Sequence, residues 1–341
     1  MKHILVTGGA GYMGSVLVPK LIEKGYQVRV FDKLIFGSNG LDQVKDKIEL
    51  IPGDIRLPDE KIFDGIDGVI HLAGLSNDPT AEYNPKANES INTKGTEIFA
   101  RKCKELGIRR FIFASSCSVY YTQEPDDSLR DEQYPINPQA PYSLSKRNAE
   151  KKLLELAGEN FCPVILRKGT LYGLSPRMRY DLVVNTFTKD AFQKRHLIIH
   201  GGGRMWRPLL HINDAAEAYI TALEAPEDSV HAQTFNVLSD NFKILKVAYE
   251  VRRALESEKG IHLGLEIQQV GLIRSYRVSN EKFNDTFGLS LVSSIRSAVS
   301  EMWDGLEDGI DFDNHIYYNI RWLELLMEMR GCLEKMGGSP L

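Results

Sequence analysis

Tyr142 and Lys146 stand four positions apart, so on a helix a phenol and an ammonium group share one face about one turn from each other. Chance alone yields about one such pair in a chain of this composition, so the spacing takes its meaning from its surroundings. The pair opens a helical stretch directly after P-Q-A-P, and Ser115-Ser116-Cys117-Ser118 closes an apolar run upstream of it. Near the amino end, V-T-G-G-A-G-Y-M-G contains Gly9-x-Gly11-x-x-Gly14 and also fits Gly8-x-x-Gly11-x-x-Gly14. A strand that turns tightly into a helix here would aim free N–H groups and the positive dipole end at a pyrophosphate, and larger side chains would block its approach. Gly8, Gly11, Tyr12, Met13 and Gly14 are therefore candidate dinucleotide contacts. Asp32 ends the next apolar run, where a carboxylate accepts hydrogen bonds from the adenosine ribose and repels a 2′-phosphate, which favours NAD. Neighbouring Lys33 keeps NADP open.

The elements that must position these groups follow from periodicity. Residues 2–7 read as a short buried strand, 12–24 as a helix ending at Gly25, and Tyr26–Phe31 as a second strand. Apolar runs at 48–51, 69–73 and 109–115 alternate with helical stretches at about 88–106 and 142–157. This is the pattern of an α/β fold with a Rossmann-type doubly wound parallel sheet. Residues 1–165 form the dinucleotide-binding unit with the Tyr/Lys pair. Residues 166–341 form a smaller, mainly substrate-binding α/β region with segments that return to the sheet. Within it, helices are expected near 214–225 and 243–257, and an amphipathic helix after Ile316. Segments 175–180 and 201–208, rich in Gly, Pro, Arg and aromatics, suit loops that close over an anionic ligand.

At 341 residues the chain can bury a large core without disulfides or metals. A charged fraction of 26% and a net charge of −4 give no case for a nucleic-acid or membrane-surface protein. Cys103, Cys117, Cys162 and Cys332 form no C-x-x-C pair and no zinc spacing, so no metal is expected and a reducing cytoplasm is the expected compartment. The amino end shows no signal-peptide pattern, and no apolar stretch reaches the roughly 18 residues of a membrane span.

Taken in order, further motifs resemble the extended short-chain dehydrogenases/reductases, specifically the NAD-dependent epimerase/dehydratase family of nucleotide sugars. They are G-D-I-R at 53–56, H-L-A-G at 71–74, I-N-T-K-G-T at 91–96, S-S-C-S-V-Y at 115–120, Y-S-L-S-K at 142–146, R-K-G-T-L-Y-G at 167–173, V-N-T-F at 184–187 and R-P-L-L-H-I-N-D-A at 207–215. The resemblance implies that Asp54 and Ile55 line the adenine pocket, that Leu72, Ala73 and Gly74 run beside the cofactor, and that Asn92 supports the site. It implies that Ser116 bonds the reacting sugar oxygen and that Tyr142 takes the hydroxyl proton as hydride leaves for nicotinamide. It also implies that Lys146 binds the nicotinamide ribose. A tyrosine titrating near about 10 is a poor base at neutral pH, so the charges of Lys146 and oxidised nicotinamide would favour the phenolate. The resemblance also implies a homodimer through the helices near 88–106 and 142–157.

A nucleotide diphosphate needs donors of fixed charge and geometry, which suits arginine. Asn185 and Arg207 match diphosphate-binding positions, and Arg274 precedes a stretch like the family's carboxyl-terminal arginine region. Arg177, Arg179 and Arg204 read as surface salt-bridge residues. Family dehydratases carry Thr-Asp-Glu where this chain has Ser116-Cys117-Ser118, and neither Cys117 nor Ser118 can protonate a leaving hydroxyl. Cys117 borders the sugar pocket and reads as a small packing residue. The pattern favours a C4 epimerase acting through a transient keto-sugar. A reductase or dehydrogenase, a dehydratase, and a non-enzymatic NAD-binding regulator stay open.

Overall fold

A computed structural model describes residues 2–121, 127–269, 275–306 and 309–335. Its strands are β1 (His3–Thr7), β2 (Gln27–Asp32), β3 (Ile48–Pro52), β4 (Gly68–His71), β5 (Arg110–Ser116), β6 (Leu129–Arg130) and β7 (Cys162–Lys168). After them come β8 (Thr170–Tyr172), β9 (His196–Ile199), β10 (Trp206–His211), β11 (Thr234–Val237), β12 (Asp240–Lys243), β13 (Gly264–Ile267) and β14 (Arg277–Val278). Seven of them build one parallel sheet in the order β11-β7-β5-β4-β1-β2-β3. The order reverses between β1 and β4, which opens a crevice at the carboxyl ends of the strands. A three-stranded sheet β12-β10-β8 and the pairs β13-β9 and β14-β6 carry the later segments.

Alternation along each central strand fills two cores. Ile4, Val6, Ile70, Ile112 and Val164 point to one face, while Leu5, Val69, Phe111, Phe113 and Ile165 point to the other. Both faces are covered by helices, so these strands read as near-continuous apolar runs. The helices Gly14–Glu23 and Ile212–Glu224 cover the first face, and Thr96–Glu105 and Pro141–Leu156 the second. Burying each such large side chain contributes about 1.5–3 kcal/mol.

Three expected elements differ in detail. The first helix starts at Gly14 rather than residue 12, because 11–13 form the turn itself. The stretch 88–106 divides into a π-helical turn, Glu89–Gly95, and the α-helix Thr96–Glu105. Segment 201–208 is a short 3-10 turn at Gly201–Gly203 followed by β10, which enters a sheet. The expected carboxyl-terminal helix spans Asn319–Lys335. Among the described residues, no helix is long and apolar enough to cross a membrane.

Candidate active site

The glycine turn lies where β1 enters the first helix. Gly8 has φ +70°, and a Cβ there would stand 2.7 Å from the Ala73 backbone nitrogen. A Cβ on Gly14 would stand 2.4 Å from the Gly9 carbonyl oxygen. Gly8, Gly11, Tyr12 and Met13 line a long cleft over the sheet, together with Asp32, Asp54, Ile55, Leu72, Ala73, Gly74, Tyr142 and Lys146. Gly14 is not among the lining residues; it lets helix and turn pack. Asp32 accepts from the backbone nitrogens of Ala10 (2.9 Å) and Leu34 (2.8 Å) at the cleft's edge. Lys33 is engaged by Asp54 at 2.8 Å, and Arg56 also holds Asp54, whose carboxyl lies well below the usual carboxylate range. The cation that kept a 2′-phosphate in view is thus already partnered. Bare backbone at the turn, a carboxylate at the end of β2 and a cleft joining them fit a dinucleotide.

Asn92 stands behind the cleft rather than in its lining. It lies fully buried in the π-helical turn, outside the cleft lining, and exchanges hydrogen bonds with the backbone nitrogen and oxygen of Leu75, both at 2.8 Å. It shapes the loop after β4, and a Cβ on Gly74 would meet its Oδ1 at 2.7 Å.

The helix Pro141–Leu156 carries Tyr142 and Lys146 to the point where the cleft meets a second cavity. Pro141 sits in its first turn, where a missing N–H costs nothing. Farther along, buried Glu150 is held by Arg167 of β7 (2.8 and 2.9 Å) and by the Ser115 hydroxyl (2.5 Å). This ionic clamp fixes the helix against β5 and β7, and with it the reactive face. Tyr142 and Ser116 line the second cavity together, and Lys146 donates to the Ala114 carbonyl at 2.9 Å.

Burial, with Asp78 second, pushes the Tyr142 phenol up to about 12, against the opposing Ser116 hydrogen bond and Arg179. Burial and then Lys168 push Lys146 down to about 7. Lys146 alone does not make Tyr142 a phenolate, because the same desolvation that isolates the phenol disfavours the ammonium.

The second cavity is lined by Ser116, Tyr142, Lys168, Arg179, Arg207 and Tyr276 among others. Two expected substrate contacts fall elsewhere. Cys117 is fully buried and donates to the Arg167 carbonyl at 2.9 Å, which makes it a packing residue outside the lining. Asn185 is likewise buried, with its amide spent on Gly173 N, Tyr12 OH and Arg179 O. Arg274 lies outside the described residues.

Sequence reasoning missed the upper wall. Arg177 and Arg179, read as surface residues, are buried and line the cleft, whereas Arg204 is exposed. Arg179 forms a two-bond pair with Asp181, and Arg177 donates to Asn319 at 2.8 Å and lies 3.8 Å from the Phe36 ring centre. Asn319, Trp322, Leu323 and Leu326 of the carboxyl-terminal helix join the lining, and Trp322 donates to the Ile35 carbonyl. The R-M-R spacing in a loop suited to anions was the available signal; the helix offered none. At the amino end of β7, opposite Lys168, Cys162, Glu227 and His231 bring their ligand atoms within 4.8 Å, but Glu227 is paired with Arg109.

Comparison with known proteins agrees with this geometry. The model of the family described as "NAD dependent epimerase/dehydratase family" matches residues 4–237. The chain is 34% identical over 252 residues to a putative UDP-glucose 4-epimerase of Methanocaldococcus jannaschii, covering 71% of this chain and 81% of that protein. It is 29% identical over 233 residues to a UDP-glucuronic acid decarboxylase of Xenopus tropicalis, covering 66% and 54%. A UDP-glucose 4-epimerase structure from Thermotoga maritima, with UDP-glucose, superimposes with a TM-score of 0.77 at 25% identity, covering 89% of this chain and all of the other. The glycine turn, the Tyr/Lys helix and these matches place the chain in the NAD-dependent epimerase/dehydratase family, the nucleotide-sugar branch of the extended short-chain dehydrogenases/reductases.

Proposed function

We propose that the protein is an NAD-dependent nucleotide-sugar C4 epimerase. The observation that carries this reading is the meeting of two cavities at Tyr142: cofactor cleft on one side, Ser116-lined cavity on the other. A sugar hydroxyl between Ser116 and Tyr142 gives its proton to the tyrosine oxygen while its carbon loses hydride and becomes a ketone. Bound NAD supplies the hydride acceptor and a positive charge that lowers the phenol's pKa. Lys146, one helical turn away, relays and stabilises that proton shift. Presenting the ketone's other face to the returned hydride, with the proton given back by Tyr142, inverts the carbon with no net redox change. Arg207 supplies positive charge for the nucleotide diphosphate in the same cavity.

Positions 117 and 118 hold no acid able to expel a hydroxyl, which supports epimerisation over elimination. Asp78, a carboxylate in the second cavity, is the observation that favours a dehydratase as the second reading. An NMR time course with UDP-, dTDP-, GDP- and CDP-hexoses and NAD separates the two. Interconversion of two sugars without net NADH supports the proposal, and a stable keto-sugar or net NADH overturns it. We extend the reading to a cytoplasmic homodimer, supported by exposed Ile98 and Leu144 on the two helices expected to pair. Light scattering at twice the chain mass of 38.5 kDa checks the dimer.

A further inference from the structure

Lys168 ends β7 and pairs in register with Ser116 of β5, so its side chain emerges on the same side of the sheet, beside the serine that faces the second cavity. It lines both cavities, as Tyr142 does. Its neighbour Arg167 is saturated by Glu150 and Tyr120. Among the described residues, the Lys168 side chain by contrast makes no hydrogen bond and no ion pair.

The cations that share its lining, Lys146 and Arg179, are of its own sign. Arg179 is committed to Asp181, and Lys146 stands on the Tyr142 helix. Burial and then Arg179 push Lys168 down to about 8. The Asp78 carboxylate lines the same cavity but forms no ion pair with Lys168. A half-buried cation without a counter-ion is costly unless a ligand supplies the opposite charge.

Ring chemistry narrows which charge that is. In a nucleotide-linked hexopyranose the diphosphate hangs on C1, and C4 lies across the ring from it. A cation flanking the hydroxyl held by Ser116 and Tyr142 therefore meets substituents next to C4, and C6 is carried by the adjacent C5. We propose that Lys168 selects a sugar with a carboxylate at that place, a nucleotide-linked hexuronic acid, over the neutral hexose. This rests on the C4 reading above.

The test uses the full-length, NAD-loaded protein with UDP-glucuronic acid and UDP-glucose, in wild type, Lys168→Met and Lys168→Arg. Binding is measured by titration calorimetry, turnover by NMR, and folding by bound-NAD content and melting temperature. The wild type should favour the uronate at least 30-fold in kcat/KM and in Kd. Lys168→Met should cut that ratio at least tenfold, and Lys168→Arg should keep most of it. Equal or better use of UDP-glucose by the wild type, or a ratio untouched by Lys168→Met, overturns the inference while leaving C4 epimerisation standing. Lysine-dependent preference for the uronate in binding, without C4 inversion, keeps the inference and sinks the epimerase. Binding of neither sugar by the wild type overturns the inference and leaves the C4 reading to the wider panel of nucleotide sugars.

Discussion

The floor of the cofactor cleft is made by residues 8–13 and 72–74, where backbone conformation dictates the residue. Gly8 sits at φ +70° against Ala73, and any Cβ there collides. The roof is made by Arg177, Asn319 and Trp322, drawn from segments far apart in the chain and joined by side-chain bonds. A floor of this kind tolerates few residue types, whereas a roof tolerates many provided the long-range contacts form. Damage should differ accordingly: floor and sheet changes should strike folding or chemistry, and roof changes should strike ligand retention.

The largest effect is expected at the reacting centre. Tyr142→Phe should lower turnover about 10²–10⁴-fold, with bound NAD and melting temperature near wild type; activity within tenfold of wild type would remove Tyr142 from the chemistry. Next comes the clamp beneath it. Glu150→Gln leaves Arg167 charged and buried, which should cost about 3–5 kcal/mol of unfolding free energy in a denaturant titration. A loss under 1 kcal/mol would mean that the helix is held by packing alone.

A third prediction concerns pH. His71 lies between Thr7 (2.9 Å) and Thr96 (3.1 Å), and burial, then Lys146, pushes it down to about 3. Its folded value lies below the unfolded one of about 6.5, so the unfolded chain binds more protons between those limits. The stability it protects is present above about pH 6.5 and is lost as pH falls toward 3. Unfolding curves of His71→Gln should show a flatter decline across that window than wild type. The smallest effect is expected at the roof. Trp322→Ala should speed NAD release about tenfold, as truncating one well-packed aromatic contact does, with little change in melting temperature of the ligand-free protein. A loss of fold instead would erase the distinction between floor and roof.

The same distinction explains what could be read without coordinates. The sheet strands and most of the cleft floor were legible because Gly8, Gly11 and Asp32 sit in short runs whose spacing carries the geometry. Asn185 has a residue type that fits a ligand contact, and only the fold shows its amide consumed by Gly173 and Arg179, as that of Asn92 is by Leu75. Arg177 and Arg179 read as surface residues because arginines are mostly exposed. Trp322 was invisible, since an amphipathic helix does not announce what its apolar face will cover.

The central claim is that hydride leaves and returns at one carbon of one bound sugar. Nucleotide sugar deuterated at C4 tests it directly, followed by NMR with substoichiometric enzyme. The account predicts that the label stays at C4 in both epimers while no NADH accumulates. Deuterium appearing at C6, washing out to solvent, or leaving as NADH would contradict it.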